Sequence, residues 1–149
     1  MSFDLSLNKG DLKVGTTGEL ATVQDTDKLV QDVLKVIHTP VGSNPFYPSL
    51  GSNITSFNIG MTLNKDFLES RVEASLLETI QTLQAIQRRQ EAVQIVTAAE
   101  KIVRINEVIA QVDSEEPRQF NISISVASGE ITDLTLPTFS ISNNTLGEP

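Results

Sequence analysis

An α+β fold is predicted, on three patterns in the sequence. Phe3, Leu5 and Leu7 alternate with polar residues, as do Leu12 and Val14, which describes two short strands. Leu68, Val72, Leu76, Ile80 and Leu83 recur at steps of three and four, one face of a long helix. Phe120, Ile122, Ile124 and Val126 alternate with Asn121, Ser123 and Ser125, a half-buried strand rich in β-branched residues. The expected architecture is an N-terminal hairpin and short helix, a long amphipathic helix, and a C-terminal antiparallel β-ribbon or meander with an exposed edge. With 149 residues and 39% hydrophobic content, the chain fits one domain over residues 1–149.

The hairpin turns at Asn8-Lys9-Gly10, and a second turn is expected between Gly15 and Gly18. Asp25-Thr26-Asp27 offers capping oxygens ahead of Leu29, Val30, Val33, Leu34, Val36 and Ile37, whose spacing makes a helical face up to about His38. Pro40 and Gly42 stop that helix. Residues 39–64 carry no charged side chain but three prolines and three glycines, so they are expected to form a shaped loop packed against the rest of the protein.

The long helix is expected over about 65–90, with Phe67, Leu77 and Ile86 widening its apolar stripe and Gln81, Gln84, Gln87 and Gln90 on a mild polar face. Thr97-Ala98-Ala99-Glu100 has the form of a capping box and predicts a new short helix. Over 105–112 both readings stand. Val108, Ala110 and Val112 alternate as in a strand, while Ile105 and Ile109 fall on the other face and keep a helix open. After the strand at 119–127 and a Ser128-Gly129 turn, Ile131, Leu134 and Leu136 begin a partner strand. Pro137 interrupts it, and Phe139 and Ile141 resume on the opposite parity. Proline donates no ladder hydrogen bond, so this strand belongs at an edge or carries a bulge. The pair 119–141 is expected to protrude, and 142–149 to be a loose tail.

Composition removes several functional classes. There is no cysteine and one histidine, which excludes disulfides, thiolate metal sites and multi-histidine clusters. The net charge is −8, and residues 112–149 hold six acids against one base. An acidic chain without a basic stripe lacks the electrostatic footprint for phosphate backbones, so nucleic acid is not an expected partner. No run approaches the apolar length of a membrane span and no basic, apolar leader opens the chain, so neither a membrane nor a cleaved signal is expected.

Motifs for catalysis are lacking. Gly10 and Gly15 have the outer spacing of a phosphate loop, but Thr16 and Thr17 stand where the lysine and its hydroxyl neighbour belong. Asp25, Asp27 and Asp32 fail the pattern of a calcium loop, since Leu29 and Val30 occupy ligand and glycine positions. His38 ends a helix, where partial negative charge favours an imidazolium, and no nucleophile signature accompanies it. No catalytic, cofactor or metal residue is assigned. Glu116-Pro117-Arg118 is a rigid corner ahead of the 119–127 strand, because Pro117 fixes its own φ and pushes Glu116 out of the helical region.

The Thr39-Pro40-x-Gly42 turn, the Phe46-Tyr47-Pro48-x-x-Gly51-Ser52 segment, the helix that follows and the Glu116-Pro117-Arg118 corner resemble the baseplate wedge and sheath-initiator family of contractile-tailed phages. That family also includes a component of the type VI secretion baseplate. The likeness runs from about residue 12 to 141, and its most specific part is the loop of Thr39, Pro40, Gly42, Tyr47, Pro48, Gly51 and Ser52. It implies a structural protein of the virion tail baseplate, assembled in the host cytoplasm, with about six copies around the tail tube. Its implied partners are wedge proteins, tube or hub proteins, and the sheath protein.

Wedge docking would fall to Glu116, Pro117 and Arg118. The sheath-facing strands would be those of Phe120, Ile122, Ile124, Val126, Leu134, Leu136, Phe139 and Ile141, extended by β-augmentation. The chain departs from the family at Val41, Ser43 and Tyr47, where charged residues are common. If 105–113 is a strand, the Glu-Pro-Arg corner lies in a hairpin turn. The alternatives from other classes are a helical adaptor or a type VI-like baseplate component without strand sharing, and a cell-wall hydrolase, which would need a positioned acid pair.

Overall fold

The computed structural model describes residues 3–8, 11–54, 65–115 and 119–142. Four two-residue strands open the chain: β1 (Asp4–Leu5), β2 (Leu7–Asn8), β3 (Asp11–Leu12) and β4 (Thr22–Val23). β2 pairs antiparallel with β3 as the alternation predicts, while β1 pairs with β4. Three segments therefore meet at one point. Ser6 N–H donates to Ala21 O, Ala21 N–H to Lys13 O, and Lys13 N–H to Ser6 O, all at 2.8–2.9 Å. The second turn is closed by Gly18 N–H on Gly15 O and Gly15 N–H on Glu19 O.

Helix α1 (Asp25–His38) buries Leu29, Val33, Val36 and Ile37 on one face. The aspartates at its start do not cap it. Gln24 is the N-cap residue without a side-chain bond, and Asp25 itself has φ +53°. The Oδ1 of Asp25 instead accepts the hydroxyl of Thr97 at 3.0 Å, a contact 72 residues away that no local rule reveals. The same bond takes Thr97 out of the predicted capping box, so Ala98–Glu100 forms only a single 3-10 turn. Gly129 packs against this turn, with its N–H on Ala98 O and no room for a Cβ.

The N-terminal strands are fastened to α1 by side chains. Gln31 accepts Leu7 N–H at 2.9 Å through Oε1 and donates to Leu5 O at 2.8 Å through Nε2, as a neighbouring strand would. Beside it Lys35 Nζ lies 2.6 Å from Asp4 Oδ2. Burial raises the Asp4 carboxyl, but hydrogen bonds from Lys35 and the Leu5 amide outweigh it and hold the group below its ordinary value of 3.8. Burial pushes Asp32 up even with Lys28 at 2.7 Å. The two groups act oppositely: the contribution of Asp4 is present above 3.8 and lost as pH falls through its lowered value. That of Asp32 is present below 3.8 and lost as pH rises through its raised value. Asp4→Asn is therefore expected to cost under about 1 kcal/mol at neutral pH, in keeping with a half-exposed pair. The difference from wild type should vanish in urea titrations run well below the carboxylate range.

Helix α2 (Lys65–Glu91) is the predicted long helix. Leu68, Val72, Leu76, Ile80, Leu83 and Ile86 are buried, while Phe67 and Leu77, expected to widen the stripe, are exposed. The chain then forms β5 (Ile102–Val112), β6 (Gln119–Ser128), β7 (Leu134–Thr135) and β8 (Phe139–Ser142). β5 is a strand throughout, and two register shifts against β6 explain its ambiguous sequence. Ile105 sits opposite Val126 and Val108 opposite Ile124, so four residues of β5 face three of β6. The bulge brings Ile105 and Val108 to one face with helix-like spacing.

β6 is the inner strand, with β5 on one side and β7 and β8 on the other. The pair 119–141 is thus no protruding arm: Phe120, Ile122, Ile124 and Val126 join Leu29, Val33, Leu76 and Ile80 in one core. The tail at 143–149 lies outside the described residues.

Candidate assembly surface

The loop after α1 begins with capping contacts. Thr39 Oγ1 donates to Lys35 O at 2.6 Å, and His38 Nδ1 donates to Leu34 O at 2.8 Å, satisfying carbonyls of the last turn. Pro40 then lies parallel to Ser52: Ser52 N–H donates to Thr39 O and Val41 N–H to Ser52 O. The buried Ser52 hydroxyl donates to Ile37 O at 2.6 Å, and Thr79 on α2 donates to Gly51 O at 3.1 Å. This clasp ties the end of α1 to the middle of α2. Gly51 has φ +128°, and a Cβ there would lie 2.5 Å from Thr39 O. Only glycine fits.

The outer half of the loop turns on Gly42, at φ +86°, whose N–H donates to Pro48 O. Asn44 Oδ1 accepts the amides of Phe46 and Tyr47. Phe46 is 87% exposed, and Val41 and Tyr47 are exposed with it. The motif thus divides into an inner half that holds the helices and an outer half presented to solvent. The expected packing holds for the inner half, where Gly51, Ser52 and Ile54 are buried, and fails for 40–49, which are largely exposed; residues 55–64 lie outside the described residues.

The second part of the surface is the sheet margin. Val126 lies opposite Leu134 and Ile122 opposite Phe139, so six residues of the outer strand span five of β6. The extra residue falls at Pro137-Thr138, the bulge that the parity change predicts. Leu136 N–H donates to Ile124 O, which aligns the even-numbered residues of β6 with the outer strand. By antiparallel alternation the backbone groups of Thr135 and Ser140 then point away from β6. Among the described residues no strand pairs with that side. Leu136 is buried, Leu134 and Phe139 are half-buried, and Phe139 stacks obliquely on His38 at 5.8 Å. Ile141 pairs with Phe120 in the backbone register.

Glu116, Pro117 and Arg118 lie outside the described residues. The elements that flank them are consecutive antiparallel strands, joined at that end by Asp113 N–H on Gln119 O.

The solvent face of the sheet carries an open groove of about 670 Å³ between β5, β6 and β7. Arg104 Nε donates to Asn106 Oδ1, Asn106 Nδ2 to Thr132 O, and the Ser125 hydroxyl to Asp133 Oδ1. Glu107 and Asp133 both line it. Among the described residues no group of three or more His, Asp or Glu could hold a metal ion, and no helix is long and apolar enough to cross a membrane.

What the sequence reading missed is on α2. Gln84 and Gln87, assigned to a mild polar face, bind the start of β5. Gln87 is 4% exposed; its Oε1 accepts Ile102 N–H at 2.9 Å and its Nε2 donates to Glu100 O at 3.0 Å. Gln84 Nε2 donates to Ile102 O and Val103 O. A signal existed, since Gln87 continues the spacing of Leu76, Ile80 and Leu83 into the core.

No protein-family model matches the chain, and no curated protein matches it. Among solved structures it is similar to a provisionally named tail lysozyme from Geobacter sulfurreducens, with a TM-score of 0.59 and 13% identity over 82% of this chain and 96% of that one. At that identity the likeness establishes a shared fold over most of this chain and nearly all of that one.

Proposed function

We propose that the chain is a structural component of a contractile-tail baseplate that docks on the wedge and starts sheath polymerisation by sharing β-strands with the first sheath ring. The observation that carries this reading is the outer margin of β7 and β8. There Thr135 and Ser140 turn backbone donors and acceptors outward, and among the described residues no strand pairs with them. An ordered template strand removes much of the conformational entropy cost of starting a lattice. The fold shared with a protein named as a tail lysozyme supports the setting, and so does the Thr39–Ser52 loop, whose motif resembles that of the wedge family. Docking on the wedge is assigned to Glu116, Pro117 and Arg118, with six copies around the tube in the virion.

β6 has both sides filled within the chain, so sharing goes through the backbone of β7 and β8. Phe120, Ile122, Ile124 and Val126 support that margin from the core. Deleting the outer strand is a poor test, because it removes the buried Leu136. Ser140→Pro is cleaner. It deletes an N–H that points away from β6 and is expected to change stability by less than about 1 kcal/mol. Baseplates carrying it should form without sheaths in electron micrographs, and sheaths of normal frequency would overturn the reading.

The neighbour's name raises cell-wall hydrolysis as a competing function, with Glu107 and Asp133 in the open groove as its acids. The structural reading expects no loss of turbidity when the protein is added to peptidoglycan.

A further inference from the structure

The two margins of the main sheet are treated differently by the rest of the chain. On the β5 side, Ala110 and Val112 stand opposite Ile122 and Phe120, and their amides point away from β6 toward α2. Glu73 Oε1 accepts the amide of Ala110 at 3.0 Å, and Glu69 Oε1 that of Val112 at 2.9 Å. Four residues along a helix advance about 6 Å, nearly the rise of two residues along a strand, so carboxylates at this spacing match alternate edge amides. At the other end of β5, Gln87 takes Ile102 N–H, and Gln84 takes the carbonyls of Ile102 and Val103. Both ends of this margin are thus occupied by α2 side chains acting as a substitute strand. On the β7 and β8 side no described side chain bonds the outward backbone groups.

From this asymmetry we infer that the sheet can be extended from one side only: a strand from a different protein is accepted at β7 and β8, while stacking of copies through β5 is blocked by Glu69, Glu73, Gln84 and Gln87. The inference rests on the proposed strand sharing and specifies its partner, since a sheet open on both sides would join copies of itself edge to edge. A nucleator that self-associated in this way would lose its template to homopolymer. The net charge of −8 acts in the same direction by opposing contact between copies.

The test uses the full chain in isolation, so its outcome is independent of whether sheaths form. Sedimentation velocity over a range of concentrations compares wild type, the pair Glu69→Ala with Glu73→Ala, and the pair Glu69→Gln with Glu73→Gln. The alanine pair removes the acceptors and should associate at concentrations where wild type and the glutamine pair, which keeps an acceptor oxygen, sediment as monomers. Adding Ser140→Pro should weaken that association, because each contact of a homopolymer joins β5 of one copy to the β7 and β8 margin of the next. A folded alanine pair that stays monomeric at every concentration would overturn the inference. So would association that Ser140→Pro leaves unchanged. Native hydrogen exchange on wild type supplies a check that needs no variant. The amides of Ala110 and Val112 should exchange at least about tenfold more slowly than those of Thr135 and Ser140. Equal rates at the two margins would refute it.

Discussion

Gly51→Ala is expected to destabilise the protein by roughly 3 kcal/mol, the sum of a backbone conformation that side chains rarely adopt and a direct clash. The added Cβ would meet Thr39 O at 2.5 Å and Pro40 C and Val41 N at 2.8 Å, all backbone atoms that cannot rotate aside. Relief requires moving Gly51-Ser52 away from Thr39-Pro40. That move breaks the Ser52 amide bond to Thr39 O, the Ser52 hydroxyl bond to Ile37 O and the Thr79 bond to Gly51 O. Gly42→Ala is the control. Gly42 also has positive φ, but nothing lies within 4 Å of its Cβ position, so only the conformational cost of about 1–2 kcal/mol remains. Urea unfolding of the two variants separates the terms. Equal losses would show that the clasp yields without cost and that the motif glycine serves its turn alone.

Gln87→Leu is expected to cost about 2–4 kcal/mol, because it leaves a buried donor and a buried acceptor unpaired while keeping the volume. Gln87 is 4% exposed, and its carboxamide is bonded to the amide of Ile102 and the carbonyl of Glu100, where the chain enters β5. Gln84→Leu tests the same margin at a half-buried position, where water can replace the lost donor, and should cost under about 1 kcal/mol. Denaturant midpoints measure both. A Gln87→Leu variant as stable as wild type would mean that the apolar stripe of α2, not the carboxamide, holds the start of β5.

The elements with an unbroken period were legible. Leu68 through Leu83 predicted α2, and Phe120 through Val126 predicted β6, since burial of one face imposes a period that the residues must follow. Pro137 with the parity change between Leu136 and Phe139 announced a bulged outer strand, and the structure has one. β5 was harder to read. Its bulges place Ile105 and Val108 on one face, and three-residue spacing is also the mark of a helix. The Asp25 and Thr97 caps were misread because each side chain finds the other across 72 residues instead of its own helix start. In the candidate site, the glycine of the Thr39–Ser52 motif was visible as a motif but not as a steric need. Gln87 was marked by its place in the apolar spacing, but Glu69, Glu73 and Gln84 were invisible as edge ligands, because an exposed helix face and one lying along a strand have the same composition.

By itself the sequence determined the two helices α1 and α2, the inner strand β6, the interrupted outer strand, and that no cysteine is present for thiol chemistry. Those properties follow from local backbone preference and from the period at which apolar side chains recur. Tertiary structure decided which strand lies inside the sheet, which margin α2 covers and which is left open. Such choices depend on contacts between residues far apart in the chain, and no local pattern records which of two equally polar surfaces will meet a strand and which will meet water.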